Sequence, residues 1–135
     1  MYSRSHLVVS VAIGGALAVW SGAPPARAAL LVGYAAVLGT AIDLDHFAIA
    51  RLRAGDWRHL RFALANPRAA FVEQDRLFDP GDVGVLTRLT SHALIGGVVV
   101  AVLAPVDAFL ALVSAVVVYG HVVCDLAVGV WKYER

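Results

Sequence analysis

The sequence predicts an all-α, polytopic membrane protein: a four-helix transmembrane bundle with a cytoplasmic amphipathic helix in its one long loop. Three observations carry that expectation. Hydrophobic residues make up 60% of the 135 residues and charged residues only 16%, which sets the chain apart from ordinary soluble domains. The apolar residues gather in four stretches, Leu7 to Ala23, Ala28 to Ala50, Val83 to Val106 and Ala108 to Trp131, and a spanning helix needs about 20 such residues. Ten of the eleven Lys and Arg residues (Arg4, Arg51, Arg53, Arg58, Arg61, Arg68, Arg76, Arg88, Lys132 and Arg135) fall on the side shared by both termini and the long loop, and only Arg27 on the other. The positive-inside rule makes that side cytoplasmic, with both termini there, in a cell or inner membrane.

Taken in order, the pattern gives a single transmembrane domain over 1–135, with helices at about 6–22, 27–51, 83–104 and 107–131 and a polar loop over 52–82. Ser21-Gly22-Ala23-Pro24-Pro25 breaks the first two helices apart, and Ala104-Pro105-Val106-Asp107 the last two, because proline ends helices and fixes sharp connections. Short connections make antiparallel neighbours. Gly14, Gly15, Ala16, Ala18, Gly33, Ala36, Gly96 and Gly97 supply small faces for close helix approach. In the long loop, Asn66-Pro67 has the form of an N-cap with proline at the first helical position. Ala69, Ala70, Phe71, Val72, Leu77 and Phe78 then alternate with Arg68, Glu73, Gln74, Asp75 and Arg76, the pattern of a short helix lying on a membrane face. Arg4, the first apolar run and Ala26-Arg27-Ala28 together imitate a secretory signal peptide. Against cleavage stand the second apolar segment, which follows at once, and His6, which cleavage would discard.

Composition also excludes functions. Nothing in the composition or the net charge of +1 suggests a nucleic-acid surface. Cys124 is the only cysteine, so an internal disulfide and a cysteine-based zinc finger are both impossible. No Walker-type loop, dinucleotide fingerprint, Gly-x-Ser-x-Gly elbow or His-Glu-x-x-His pair is present.

What remains is a set of ionisable residues in or beside the apolar stretches: His6, Asp43, Asp45, His46, His92, His121 and Asp125. Such groups cost several kcal/mol at membrane depth unless paired or bound, so their clustering points to a site, and histidine with aspartate is metal-ligand chemistry. An up-down-up-down path brings all seven to the cytoplasmic ends. Asp43 and His46 are three apart and His121 and Asp125 four apart, so each pair shares a helical face. Asp45 points roughly opposite to Asp43 and His46 on an ideal helix, which makes it a solvated end-cap or a partner that orients an imidazole. Arg88, one turn before His92, is either an arginine snorkelling to the interface or a holder of an anionic substrate group. His59 reads as a surface histidine and Cys124 as a packing residue.

Three of these segments carry a resemblance. Gly39-Thr40-Ala41-Ile42-Asp43-Leu44-Asp45-His46, Arg88-Leu89-Thr90-Ser91-His92 and His121-Val122-Val123-Cys124-Asp125, preceded by His6, resemble the ordered motifs of the predicted inner-membrane metal-dependent hydrolases. That family carries an early histidine, a Pro-Asp-x-Asp-His group, a His-Arg-Gly-x-Thr-His group and a late His-x-x-x-Asp. The chain departs from it at Ile42, where the family often has proline, at Thr87, in the place of the first histidine of the third motif, and at Leu89, in the place of its glycine. The resemblance implies a divalent ion, zinc first and manganese second, held by His46, His92, His121 and Asp125, with Asp43 joining or bridging and His6 completing the set. Asp45 would take a proton and Arg88 would hold the substrate, a phosphoester or lipid-linked group at the cytoplasmic face of the bilayer. Ion or proton transport through the buried acids and imidazoles, or a membrane interaction role for a degenerate family member, are the alternatives.

Overall fold

The computed structural model describes residues 3–71, 73, 76–79 and 81–133. Val72, Gln74 and Asp75 of the expected amphipathic helix, and Arg135 of the charge pattern, lie outside the described residues. The described chain is helical without strands: α1 (Ser3–Trp20), α2 (Pro25–Ala41), a 3₁₀ turn (Ile42–Leu44), α3 (Asp45–Ala54), α4 (Arg58–Ala65), α5 (Pro67–Phe71), α6 (Val85–Leu103) and α7 (Ala108–Tyr133). Three helical stretches are long and apolar enough to cross a membrane: Pro25–Ala54, Val85–Leu103 and Ala108–Trp131. The first apolar helix, at Arg4–Trp20, is shorter than these.

The ends of the helices follow local chemistry. Pro25 opens α2 at a position where its missing N–H costs nothing. Asp107 opens α7, its Oδ1 accepting from the Leu110 N–H at 2.9 Å. Gly55 closes α3 in the left-handed conformation, φ 82°, with its N–H donating to the Arg51 carbonyl. The helix expected over 27–51 therefore runs three residues further, and it is interrupted by the tighter 3₁₀ turn at the Asp43 segment.

The long loop is more structured than its polarity suggests. The helix expected after Pro67 spans only five residues, and the larger element, α4, precedes it. His59, Phe62 and Ala63 recur at i, i+3 and i+4 in α4 and face inward, toward a small core of Ala63, Ala69 and Leu77 packed by Phe47, Phe62 and Phe78. Arg53 fastens this loop to the next helix, its Nη1 donating to the Gly81 carbonyl at 2.6 Å and its Nη2 to Thr87 Oγ1 at 3.0 Å.

Among the long helices, α1 packs along α2, and α7 packs against α1, α2 and α6. By contrast, α6 meets the second helical stretch at the 3₁₀ turn and α3. Gly14 and Gly96 allow the close crossings: an added Cβ would stand 2.8 Å from Ala35 Cβ at Gly14 and 2.5 Å from Val118 Cγ1 at Gly96. Gly15, Gly33 and Gly97 face open space. The apolar core of Ala18, Leu31, Ala35, Val113 and Val117 fills the end away from the Asp43 segment. The distribution of polarity is inverted relative to a soluble bundle. Val19, Leu30, Val98 and Val102 are exposed, while His6, His92, His121 and Asp125 are among the most buried side chains. An outward apolar surface on this scale suits hydrocarbon rather than water.

Candidate metal centre

The 3₁₀ turn decides how the second helical stretch presents its acids. A tighter turn advances about 120° per residue instead of 100°. Asp45, expected opposite to Asp43 and His46, is thereby swung toward them. Its Oδ1 lies 3.6 Å from His46 Nε2 and 3.2 Å from His92 Nε2. Asp45 is a member of the cluster, not a solvated end-cap, and in this position it orients His92.

Asp43 stands at the centre. Its Oδ1 is 3.3 Å from His121 Nε2, 3.6 Å from His46 Nε2 and 3.8 Å from His92 Nε2. Asp125, one turn after His121 on α7, places Oδ2 3.9 Å from His121 Nε2 and 4.0 Å from His92 Nδ1. His6 reaches across from α1, with Nε2 3.1 Å from Asp125 Oδ1, and its ring stacks on that of His121 with centroids 3.6 Å apart. Arg88 contacts the same carboxylate, Nη2 to Asp125 Oδ2 at 3.5 Å. All seven residues singled out in the sequence, and Arg88 with them, meet at one end of the helices.

The orientation of His121 is the most informative detail. Its Nδ1 lies 2.9 Å from the Gly39 carbonyl oxygen. A carbonyl can only accept, so Nδ1 carries the hydrogen, and in the neutral ring Nε2 is left with a lone pair. That lone pair faces two carboxylates. Lone pair against anion is repulsive in a buried site unless a proton or a cation lies between them. A histidine whose Nδ1–H is held by a backbone carbonyl and whose Nε2 points at carboxylates is the usual arrangement of a metal ligand. The ring nitrogens His6 Nδ1, His46 Nε2, His92 Nδ1 and His121 Nε2 are buried without a hydrogen bond among the described residues. Ligand atoms around a tetrahedral zinc, bonded at about 2.0–2.1 Å, stand about 3.3 Å apart. The donor separations here already lie close to that value.

Two donor groups emerge: His6, Asp43, His121 and Asp125, and Asp43, His46 and His92. Within each, the candidate ligand atoms lie within 4.8 Å of one another. Gly39 makes the assembly possible, since a Cβ there would collide with Ser10 Oγ and Cβ. Phe78 closes the cluster toward the loop, its ring nearly perpendicular to that of His46 at 6.1 Å. Neither was readable from the sequence, where a glycine in an apolar helix and an aromatic in a polar loop have no local mark of a site.

Other positions fall elsewhere. Thr87 accepts from Arg53 and belongs to the loop attachment. Cys124 is a partly buried free thiol. His59 is a correction: it is buried, not a surface residue. Its Nδ1 donates to the Leu77 carbonyl at 2.6 Å, its Nε2 accepts from Arg58 Nε at 3.1 Å, and Asp82 Oδ2 lies 2.9 Å from that same nitrogen. With Asp79 and Asp82 it forms a third group spaced for a cation.

Comparison of the chain with known protein families, curated proteins and solved structures finds no match in any of the three. Function must be argued from the cluster itself.

Proposed function

We propose that the cluster is the metal centre of a membrane-embedded hydrolase acting on a phosphoester or lipid-linked substrate. The observation that carries the reading is His121, whose protonated Nδ1 turns a bare Nε2 lone pair onto Asp43 and Asp125. In this reading α1 crosses the bilayer with the three longer stretches, giving a four-helix bundle. The charge asymmetry then puts the cluster, the loop and both termini on the cytoplasmic side.

His6, Asp43, His121 and Asp125, with His46 and His92, would hold zinc or manganese. The ion would supply a water of lowered pKa and a Lewis acid for the scissile group. The chain's own groups do the rest. Asp45, 3.2 Å from His92, holds that ring and, as the carboxylate outside the ligand set, would take the proton. Arg88 is 20% exposed at its side chain and lies 3.5 Å from Asp125, so it stands at the rim where an incoming anion would meet a guanidinium first. Phe78 and the loop core exclude water on the loop side.

Metal analysis of the full-length protein purified in detergent tests this. At least one zinc or manganese per chain is expected, with His121→Ala reducing bound metal at least tenfold, and metal-dependent cleavage should appear in a panel of phosphomonoesters and phosphodiesters. Absence of metal, or unchanged metal in His121→Ala, would overturn the proposal. A proton-transport reading draws on one observation, the buried hydroxyls that carry polarity into the opposite half: Ser10, and Ser114 bonded to Tyr34 at 2.7 Å. Ion flux in proteoliposomes that is abolished by Asp43→Asn would favour it over hydrolysis.

A further inference from the structure

We propose that the outer groove between α6 and α7 holds the hydrocarbon chain of a lipid phosphoester, whose head group lies at Arg88 beside the cluster. This rests on the hydrolase reading above and names its substrate class, a membrane lipid in place of a water-soluble phosphoester.

The groove follows from small side chains. Ala93, Gly97 and Ala101 recur every four residues on one face of α6 and are too short to fill the space beside α7. Gly96 brings the two helices together, since a Cβ there would stand 2.5 Å from Val118 Cγ1, and this contact forms the floor. A Cβ added at Gly97 would meet no atom within 4 Å. On α7 the walls are Val118, Tyr119 and Val122, and the cavity measures about 420 Å³. None of its lining residues is charged. Ala93, Gly97, Ala101 and Tyr119 are exposed, so the groove opens outward, onto hydrocarbon in this reading.

Its width decides the occupant. From Ala93 to Ala101 α6 rises about 12 Å, so a volume of about 420 Å³ corresponds to a mean cross-section of about 35 Å². A helix, about 10 Å across, covers roughly 80 Å² and does not enter. A hydrocarbon chain, about 4–5 Å across at carbon contact distances, covers roughly 20 Å² and does.

Its position decides the head group. Ala93 follows His92 and Val122 follows His121, so one end of the groove is level with those two imidazoles. Arg88 stands about 7.5 Å further along α6, and its Nε is buried without a hydrogen bond among the described residues. A chain lying in the groove therefore ends beside a guanidinium with an unmet donor, which matches a phosphate oxygen. The ester between chain and phosphate then falls at the depth of the cluster.

Photolabelling tests this on the full-length protein in phosphatidylcholine nanodiscs doped with a lysophosphatidic acid whose chain carries a diazirine, with mass spectrometry locating the label and metal counted on the same samples. Label should concentrate on the groove residues of α6 and α7. Gly97→Leu fills the groove with a better helix former and should lower that label at least tenfold, whereas Gly33→Leu, at a glycine of α2 that also faces open space, should leave it unchanged. A diazirine monoacylglycerol, which lacks the phosphate, should label the groove at least tenfold less, and Arg88→Gln should abolish that preference. If Gly97→Leu fails to fold, the distribution of label on the unaltered chain decides. Label spread evenly over the exposed helix faces, or unchanged in Gly97→Leu, would overturn the inference and, with metal bound, leave the metal centre standing. A groove protected from label, with Gly97→Leu turning a dimer into a monomer, would overturn it in favour of a second copy. Groove label on a chain that binds no metal would overturn the hydrolase reading, and with it the role of the lipid as substrate.

Discussion

Two histidines in this chain are held the same way, and their surroundings resolve the same problem differently. His121 and His59 each donate Nδ1–H to a backbone carbonyl, of Gly39 and of Leu77, and each turns Nε2 toward aspartates. In the loop the protein provides its own cation. Arg58 donates to His59 Nε2 and lies 3.1 Å from Asp79 and 3.5 Å from Asp82, so the lone pair is occupied and the carboxylates are offset. In the helix cluster Arg88 lies 3.5 Å from Asp125, and the Nε2 atoms of His121 and His46 have no hydrogen bond among the described residues. A His–Asp constellation by itself does not mark a metal site. What distinguishes the two is whether a side-chain donor already occupies the Nε2 lone pair. That contrast makes the loop group a structural latch and the buried group a candidate centre.

The largest expected effect comes from removing the support of His121. Gly39→Ala adds a Cβ that collides with Ser10, forcing α2 away from α1 and α7 at the level of the carbonyl. Overpacking of this kind costs about 1–3 kcal/mol. Thermal unfolding in detergent should show that loss, and bound metal should fall with it. Adding Ser10→Gly to the same chain should recover both, and failure of metal to recover alongside stability would break the link between the Gly39 carbonyl and the centre.

A smaller effect sharpens the loop side of the comparison. Arg58→Gln strips the cation from His59, Asp79 and Asp82 and leaves the spacing of the group in place. In a His121→Ala background the protein should then gain weak manganese binding in the loop, at least tenfold tighter than the same background with Arg58 intact. Unchanged binding would mean that occupancy of the Nε2 lone pair is not what separates the two groups.

The smallest effect lies on the exposed edge of the loop. Glu73 contacts Arg76 at 2.8 Å and Arg68 at 2.9 Å, and the hydrogen bond from Arg76 holds its carboxyl below the ordinary range. A depressed acid stabilises the folded state above its unfolded pKa and loses that contribution as pH falls through the folded value. Glu73→Gln should therefore lower the unfolding midpoint slightly at pH 7 and change it less at a pH below the ordinary glutamate range. An equal decrement at both pH values would show that packing, not charge, underlies the contact.

Much of the candidate site was legible before any fold was known, for a physical reason. Ionisable groups are scarce in apolar helices because they are costly there, so His6, Asp43, Asp45, His46, His92, His121 and Asp125 stood out against their neighbours. The spacings of Asp43 with His46 and of His121 with Asp125 fixed each pair to one face. The loop was read less well. Its polarity hid α4 and the burial of His59, because the partners that bury it, Leu77, Asp79 and Asp82, lie about twenty residues away and leave no local period.

The sequence by itself determined which segments prefer hydrocarbon, that proline breaks apart the first two and the last two of them, and that imidazoles and carboxylates gather at one end of them. These are local properties of side-chain transfer energy, capping and helical period. Only the tertiary structure decided that Asp45 turns inward at a 3₁₀ turn, that a glycine carbonyl sets the tautomer of His121, and that the donors divide into two groups around Asp43. Those outcomes depend on how closely separate helices approach and in what register. Contacts between residues as far apart as Gly39 and His121 set that, and the periodicity of either helix alone does not encode it.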